Sequence, residues 1–499
     1  MIMTNPDIKK DKTPSLLVSL VPIAVLSTIL IIVALCTGGD ILSGGSQMAM
    51  LIAAAVAASL AMGIYRVRWR VMEERIIKSV EASTISILVL LLIGAISGTW
   101  MLSGVVPTMI YYGLQVLHPA VFLPSVCIIS AVVSLVTGSS WTTCATIGVA
   151  FMGIGYSLGF PAWWTAGAVI SGAYFGDKMS PLSDTTVLAS STAGVTLFSH
   201  IRYLIYTTVP SMLLALVIYA VAGVYMYEGV EAAGDGLSEA LCEAFNISGW
   251  LLLVPLVTFV LIVRRVPVLI TLFVSVVAAA VAMLIAQPAV VGYLSGEADG
   301  VFSAAVNAVL TASCNATAMQ TGNATLDALV STRGMAGMLN TIWLILSAMC
   351  FGGVLMGSGM ASAITRAILK GVRGVVGAVS TTVFSGFFFN LCTADQYMSI
   401  ILTCDLNKEG FDRLGIDRRV LSRATEDSAT VLSVLVPWNS CGIAQSSVLG
   451  ISTLAYFPYC FFNILSPIMS IAVAALGYKI LYKTEKHPVK LKNRPNRLL

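Results

Sequence analysis

Apolar residues run along this chain in blocks of about twenty, the length a helix needs to cross hydrocarbon. Charged or Gly/Pro-rich joints separate the blocks. The pattern predicts about fourteen spans, at 15–36, 47–65, 84–106, 120–137, 139–158, 162–190, 203–226, 249–263, 266–286, 340–360, 375–391, 393–406, 424–456 and 457–482. The first block, Ser15 to Cys36, follows Lys9, Lys10 and Lys12 in the manner of a signal peptide. It is long, lacks a small-residue cleavage site and leads straight into more apolar blocks, so it reads as a retained span. Leu35 stands where a lipoprotein site at Cys36 needs a small residue.

Composition agrees with that division. The chain is 57% hydrophobic and 10% charged, against about 25% charged in soluble proteins, and its mean hydropathy is +0.91. An all-α polytopic membrane protein follows. The net charge of +4 is spread over the joints, which excludes a nucleic-acid groove. Ten cysteines without a C-x-x-C pair read as packing residues. Three histidines, His118, His200 and His487, fall at expected helix ends or tails, which argues against a zinc or haem centre. No cofactor and no enzymatic activity are expected.

Lys and Arg in short loops favour the cytoplasm. With the N-terminus inside, Arg66, Arg68, Arg70, Arg75 and Lys78 are inside, as are Arg202, Arg264, Arg265, Arg366, Lys370 and Arg373. The Lys408–Arg423 loop and the tail from Lys479 to Arg497 obey the same rule. The acidic stretch Glu228–Glu243 and the pair Glu297/Asp299 fall outside, and Arg333 is the exception, on an external segment 287–338. Both termini are therefore expected in the cytoplasm of a plasma-membrane protein.

The chain also repeats itself. "GTWMLSG" (98–104) lies on "GVLMGSG" (353–359), Thr137 on Thr393, and "PLSDTTVLASSTAG" (181–194) on "PWNSCGIAQSSVLG" (437–450), at shifts of 255 to 256 residues. About seven spans separate the copies, an odd number, so the halves 15–248 (core about 84–226) and 249–482 (core about 340–482) are expected to be inverted. Tails at 1–14 and 483–499 flank them. Inverted halves with broken helices near the midplane are a transporter architecture.

Pro181 and Pro437 supply the breaks. Proline removes a helical donor and frees carbonyls of the preceding turn, and at bilayer depth those groups need new partners or a wet cavity. Ser183, Asp184 and Thr185 follow one proline, and Asn439, Ser440 and Cys441 the other, as caps for the next half-helix. Carbonyl, hydroxyl and carboxylate oxygens together suit Na⁺.

Five acids lie at expected bilayer depth: Asp177, Asp184, Asp395, Glu426 and Asp427. Each has a plainer role to set beside ion binding. Asp184 and Asp395 could be helix caps, Asp177 could pair with Lys178, and Glu426 and Asp427 could pair with the basic loop ending at Arg423. A buried carboxylate favours its neutral form and a bound cation its charged form, so one acid can hold Na⁺ or H⁺ in turn. Asp177 is expected to do so, with Asp184 in support.

At these residues the chain resembles the NhaC-type sodium/proton antiporters. The resemblance rests on "TGSSWTTCATIGVA" (137–150), "AGAVISGAYFGDKMSPLSDTT" (166–186), "LVSTRGMAGM" (329–338), "TADQYMSIIL" (393–402) and "LSRATEDSATVLSVLVPWNSCG" (421–442). It implies a Na⁺/H⁺ exchanger in the bilayer, with a branch exchanging malate for lactate as the alternative. It carries over Asp177, Ser180, Ser183, Asp184, Thr185, Asp395, Glu426, Asp427, Trp438 and Asn439 as matching positions, and Ser139 and Thr142 join them from the first segment. Asp177, Asp184 and Asp427 are the Na⁺ ligands expected. Arg333-Gly334 stands where the family often has two glycines. A small carboxylate is the alternative cargo, and the assembly is open, a homodimer included. An intramembrane aspartyl protease would need a first glycine where "YFGD" has Tyr174, and a passive channel would have no use for titratable acids beside two breaks.

Overall fold

The computed structural model describes residues 14–36, 44–227, 235–296, 300–321, 326–327, 330–369 and 374–482. The outer parts of both tails, Glu228, Lys370, Arg373 and the Glu297/Asp299 pair lie outside the described residues.

The charged joint before the third block is itself helical. The helix expected from 84 runs from Trp69 to Leu102, because Arg, Glu and Lys are good helix formers and Arg70 pairs with Glu74 one turn on, at 3.3 Å. Among the described residues, eight helices are long and apolar enough to cross a bilayer. They are Leu16–Val33, Gly45–Tyr65, Trp69–Leu102, Pro119–Thr137, Leu197–Met226, Val268–Ala286, Ala336–Gly357 and Gly374–Thr393. A ninth span is formed if the pair Thr453–Tyr459 and Phe461–Ala475, bent by 56°, is counted as one. The chain is thus an all-helical polytopic membrane protein.

The remaining expected blocks are short or interrupted. The 162–190 block is Ala162–Met179 followed by Asp184–Ala193. The 424–456 block is a π-turn at Glu426–Thr430, a 3₁₀ turn at Ser433–Leu435 and the helix Ser440–Leu449. The segment 287–338 is not simply a loop, since it holds the helices Pro288–Ser295 and Val301–Cys314. The second of these lies so close to the Trp69–Leu102 helix that a Cβ on Gly98 would meet the Ala312 carbonyl at 1.9 Å.

Local geometry recurs at the same shifts as the sequence. Trp69–Leu102 ends at Ser103 and a left-handed Gly104, and Leu339–Gly357 ends at Ser358 and a left-handed Gly359. Asp184–Ala193 and Ser440–Leu449 end at left-handed Gly194 and Gly450. The turns after Thr137 and Thr393 share most of their hydrogen bonds. Gly138 (φ 69°) and Ala394 (φ 54°) are both left-handed. Ser139 and Asp395 then cap the next helix through Thr142 N and Met398 N. Thr137 reaches the Ser139 carbonyl and the Thr143 hydroxyl, as Thr393 reaches Asp395 and Ser399.

Small residues set the position of the Ala162–Met179 helix. A Cβ on Gly172 would meet Cys127 O at 2.1 Å, and one on Gly176 would meet Ala131 O at 2.3 Å. This Gly-x-x-x-Gly face brings the helix backbone against Phe122–Thr137, as small residues do between membrane helices. Asp177 and Lys178 follow directly. The core around them is filled by Trp100, Phe122, Tyr174, Tyr219 and Phe462, all buried.

Candidate functional site

Helix Ala162–Met179 stops two residues before Pro181, and side chains satisfy the groups this exposes. The Thr186 hydroxyl donates to the carbonyls of Lys178 (3.1 Å) and Asp177 (3.4 Å). Ser180 donates to Leu135 O at 2.8 Å. Ser183 is the N-cap of the next helix, accepting from Thr186 N at 3.4 Å. Asp184 therefore occupies the first helical turn, where a negative charge favours the helix dipole, and it is exposed.

Beside this break is a cavity of about 540 Å³. Its wall includes Ser139, Trp141, Thr142, Asp177 and the run Pro181–Thr185, with Gln396 and Tyr397 from the other half of the chain. Arg265, on the turn between Leu253–Val263 and Val268–Ala286, also borders it. Asp177 is 5% exposed, and its Oδ2 accepts from Ser140 Oγ at 2.8 Å. The cavity thus offers a nearly buried carboxylate, a second exposed one and several hydroxyls. Among the described residues no three His, Cys, Asp or Glu side chains converge, so a cation here would be held by carboxylate, hydroxyl and carbonyl oxygens, the donor set of a hard cation.

The second break is held differently. The π-turn and the irregular stretch after it free the carbonyls of residues 429, 430, 431 and 434, and three amide side chains and a tyrosine hydroxyl take them up. Asn390 donates to Ala429 O (2.8 Å), Gln396 to Thr430 O (3.0 Å), Asn463 to Val431 O (2.9 Å), and the Tyr456 hydroxyl to Val434 O (2.8 Å). Asn439 caps the following helix through Cys441 N and also donates to Asn390. Ser440 N donates to Ala394 O at 2.8 Å, which joins this break to the Asp395 turn.

Lys178 points away from the cavity. It donates to Asp427 Oδ1 and to Ser466 Oγ, and Thr207 donates to the same carboxylate oxygen at 3.1 Å. Arg423 lies 3.9 Å from Asp427 Oδ2, with its guanidinium 4.7 Å from the centre of the Tyr203 ring. Lys178, Arg423, Glu426 and Asp427 are all 0% exposed. All three Arg423 guanidinium nitrogens and Asp427 Oδ2 make no hydrogen bond to the described residues, while the Thr430 hydroxyl stands beside Glu426 and the Thr425 hydroxyl beside Cys404. Left dry, each such group costs about 1–3 kcal/mol and a charged one more.

The structure brings Asp177, Ser183, Asp184, Thr185, Ser139 and Thr142 to one cavity. Ser180 and Trp438 bond backbone carbonyls, Leu135 O and Leu391 O, and Asp395 and Asn439 cap helices. Asp427, expected with the Na⁺ ligands, instead lies with Glu426 in the Lys178 cluster, and Lys178 pairs with it rather than with Asp177. Sequence reasoning missed Ser140, Thr186, Asn390, Gln396, Tyr397 and Asn463, whose polarity alone gave no signal, whereas Arg423, expected as a partner for Glu426 or Asp427, does approach Asp427. His200, expected at a helix end, is in the first turn of its helix but buried, 2.7 Å from the Ser422 hydroxyl.

Spanning helices, two interrupted segments and a nearly buried carboxylate in the wall of a cavity are the features of a secondary transporter. Comparison with known proteins agrees. The model of the Na⁺/H⁺ antiporter family matches residues 3–194 and 172–478. A Na⁺/H⁺ antiporter NhaC of Alkalihalophilus pseudofirmus is 34% identical over 83% of this chain and 86% of its own length. A malate-2H⁺/Na⁺-lactate antiporter of Bacillus subtilis is 33% identical over 84% and 86%. An arginine/ornithine antiporter, ArcD, of Halobacterium salinarum is 34% identical over 96% and 95%. The chain belongs to the Na⁺/H⁺ antiporter family and is a secondary antiporter, not an enzyme.

Proposed function

We propose that this antiporter exchanges Na⁺ for H⁺ by alternating access, with the two ions competing at the cavity acids. The observation that carries this is Asp177: a nearly buried carboxylate at the wall of a hydroxyl-lined cavity, one turn from a helix break. Na⁺ would take oxygens from Asp177, Asp184 and the hydroxyls of Ser139, Thr142, Ser183 or Thr185. A proton on Asp177 removes the charge that holds the cation, so binding one ion expels the other.

The exchange cycle we propose runs on two inverted halves of about seven spans each, 15–248 and 249–482, with both termini in the cytoplasm. The matched turns at Gly138–Ser139 and Ala394–Asp395 support the repeat, and the basic loops support the orientation.

A second reading is exchange of a small organic ion. The cavity is far larger than one Na⁺ requires, and Arg265 borders it opposite in sign to Asp177 and Asp184. The relatives named for malate and lactate or for arginine and ornithine fall in that class. Purified protein in proteoliposomes containing a pH dye separates the two. Collapse of a proton gradient on adding Na⁺ alone supports Na⁺/H⁺ exchange. Collapse only when malate, lactate, arginine or ornithine is also present would move the assignment to that solute.

A further inference from the structure

We propose that Asp395 and the break at Pro437 form a second site for the transported cation, sealed in this structure, which opens to the external face as the cavity at Asp177 closes. The inference rests on the inverted halves and the Na⁺/H⁺ reading proposed above. The two matched breaks agree in backbone and differ in exposure. In the first copy Pro181 and Asp184 are exposed, and the run from Pro181 to Thr185 lines the cavity. In the second, at a shift of 256 residues, Asp395, Asn439 and Ser440 are all buried. Three bonds close it. Ser440 N donates to Ala394 O at 2.8 Å, Asn439 Nδ2 to Asn390 Oδ1 at 3.1 Å, and Trp438 Nε1 to Leu391 O at 2.8 Å. Their counterparts in the first copy bond only within the break: Ser183 to Thr185, and Leu182 N to Ser180 Oγ.

Asp395 makes the sealed copy a site rather than a simple joint. It is 1% exposed. Its Oδ1 accepts from Met398 N at 2.8 Å, the Tyr397 N–H stands beside the carboxyl, and Oδ2 makes no hydrogen bond to a described residue. A buried carboxylate needs a counter-charge or a proton. Asp427 has Lys178, and Asp177 has the cavity. Among the described residues Asp395 forms no ion pair. Its counter-charge therefore arrives as cargo, Na⁺ in one state and H⁺ in the other. Gln396 and Tyr397 follow Asp395 directly and border the Asp177 cavity, so the sealed site adjoins the open one. Arg265, on a basic turn, also borders the open cavity, and basic turns favour the cytoplasm. The inverted copy faces the opposite way.

The test is labelling of single cysteines by a membrane-impermeant maleimide, in right-side-out and in inverted vesicles. It uses full-length protein otherwise free of cysteine and still able to transport. Ser440→Cys probes the sealed break, Met398→Cys the first turn of the adjoining helix, and Leu182→Cys the open cavity. Leu182→Cys should react from the cytoplasmic side and the other two from the external side. Na⁺ at about ten times its Kd should slow Ser440→Cys about tenfold. Adding Asp395→Asn should abolish that protection and leave the probe reactive from outside. Reaction of both Ser440→Cys and Met398→Cys from the cytoplasm, or of neither in transporting protein, overturns the proposal. External reaction that Na⁺ does not slow, while it slows Leu182→Cys, overturns the site alone, and is what a permanently protonated Asp395 predicts. Protection of neither probe overturns the Na⁺ reading and the proposal with it. Arg75→Cys and Arg333→Cys report orientation. If those two label from one face, the inverted halves fail instead, and Na⁺ protection of Ser440→Cys still decides whether Asp395 holds a cation.

Discussion

Asp177 and Lys178 are consecutive residues with partners on opposite sides of their helix. Asp177 accepts from Ser140 beside the cavity, while Lys178 donates to Asp427 across 249 positions of sequence. A single peptide bond thus joins the carboxylate of the cavity to a buried charge cluster.

Asp177→Asn keeps the shape and can still accept from Ser140, but it cannot hold a counter-charge for Na⁺ or release a proton. Na⁺/H⁺ exchange in proteoliposomes should vanish while the protein purifies as a folded species. Asp184→Asn should be milder, because Ser183 carries the cap and Asp184 is exposed. Wild-type exchange in Asp177→Asn would transfer the role to Asp184 or Asp395.

Breaking the Lys178–Asp427 pair leaves a buried charge without its partner, which costs about 3–5 kcal/mol. Lys178→Met and Asp427→Leu should each lower the unfolding temperature sharply. The double variant Lys178→Met/Asp427→Leu should recover much of the loss. A double variant as unstable as the sum of the singles would show that the two side chains act independently.

The two matched turns respond oppositely to substitution. Ala394 bears left-handed strain of about 1–2 kcal/mol that glycine would relieve, less the entropy glycine loses on folding. Ala394→Gly should therefore stabilise by up to about 1 kcal/mol in thermal unfolding. Gly138→Ala adds the same strain, and its Cβ would also meet the Leu182 backbone carbon at 2.8 Å. It should destabilise and reduce transport together.

Gly176→Leu should push the Ala162–Met179 helix away from Ala131 and separate Asp177 from Ser140. The expected readout is weakened Na⁺ affinity at near-normal maximal rate in the Na⁺ dependence of flux. A Cβ on Gly63 would meet nothing within 4 Å, and Gly63→Leu should leave both unchanged.

The acids were legible in the sequence because a carboxylate inside an apolar block is conspicuous, and the breaks because proline has one effect on a helix. Their partners were not. Asn390, Gln396 and Asn463 look like ordinary small polar residues until the freed carbonyls of residues 429–431 are set in front of them. Asp427 reads as a cation ligand while only its own segment is in view, and becomes the counter-ion of Lys178 once Ala162–Met179 is packed beside it. Helix ends were misjudged where charged residues continued a helix, as at Trp69–Leu102. Pairing of distant segments is tertiary information, and one sequence carries it only faintly.

The turns at Gly138–Ser139 and Ala394–Asp395 share a backbone and differ in one functional group, a hydroxyl in the first and a carboxylate in the second. A scaffold duplicated in shape has thus been made unequal in charge. Asp395, buried, places a carboxylate where the matching turn has only the Ser139 hydroxyl, so the two copies of the turn cannot hold the same ion in the same way.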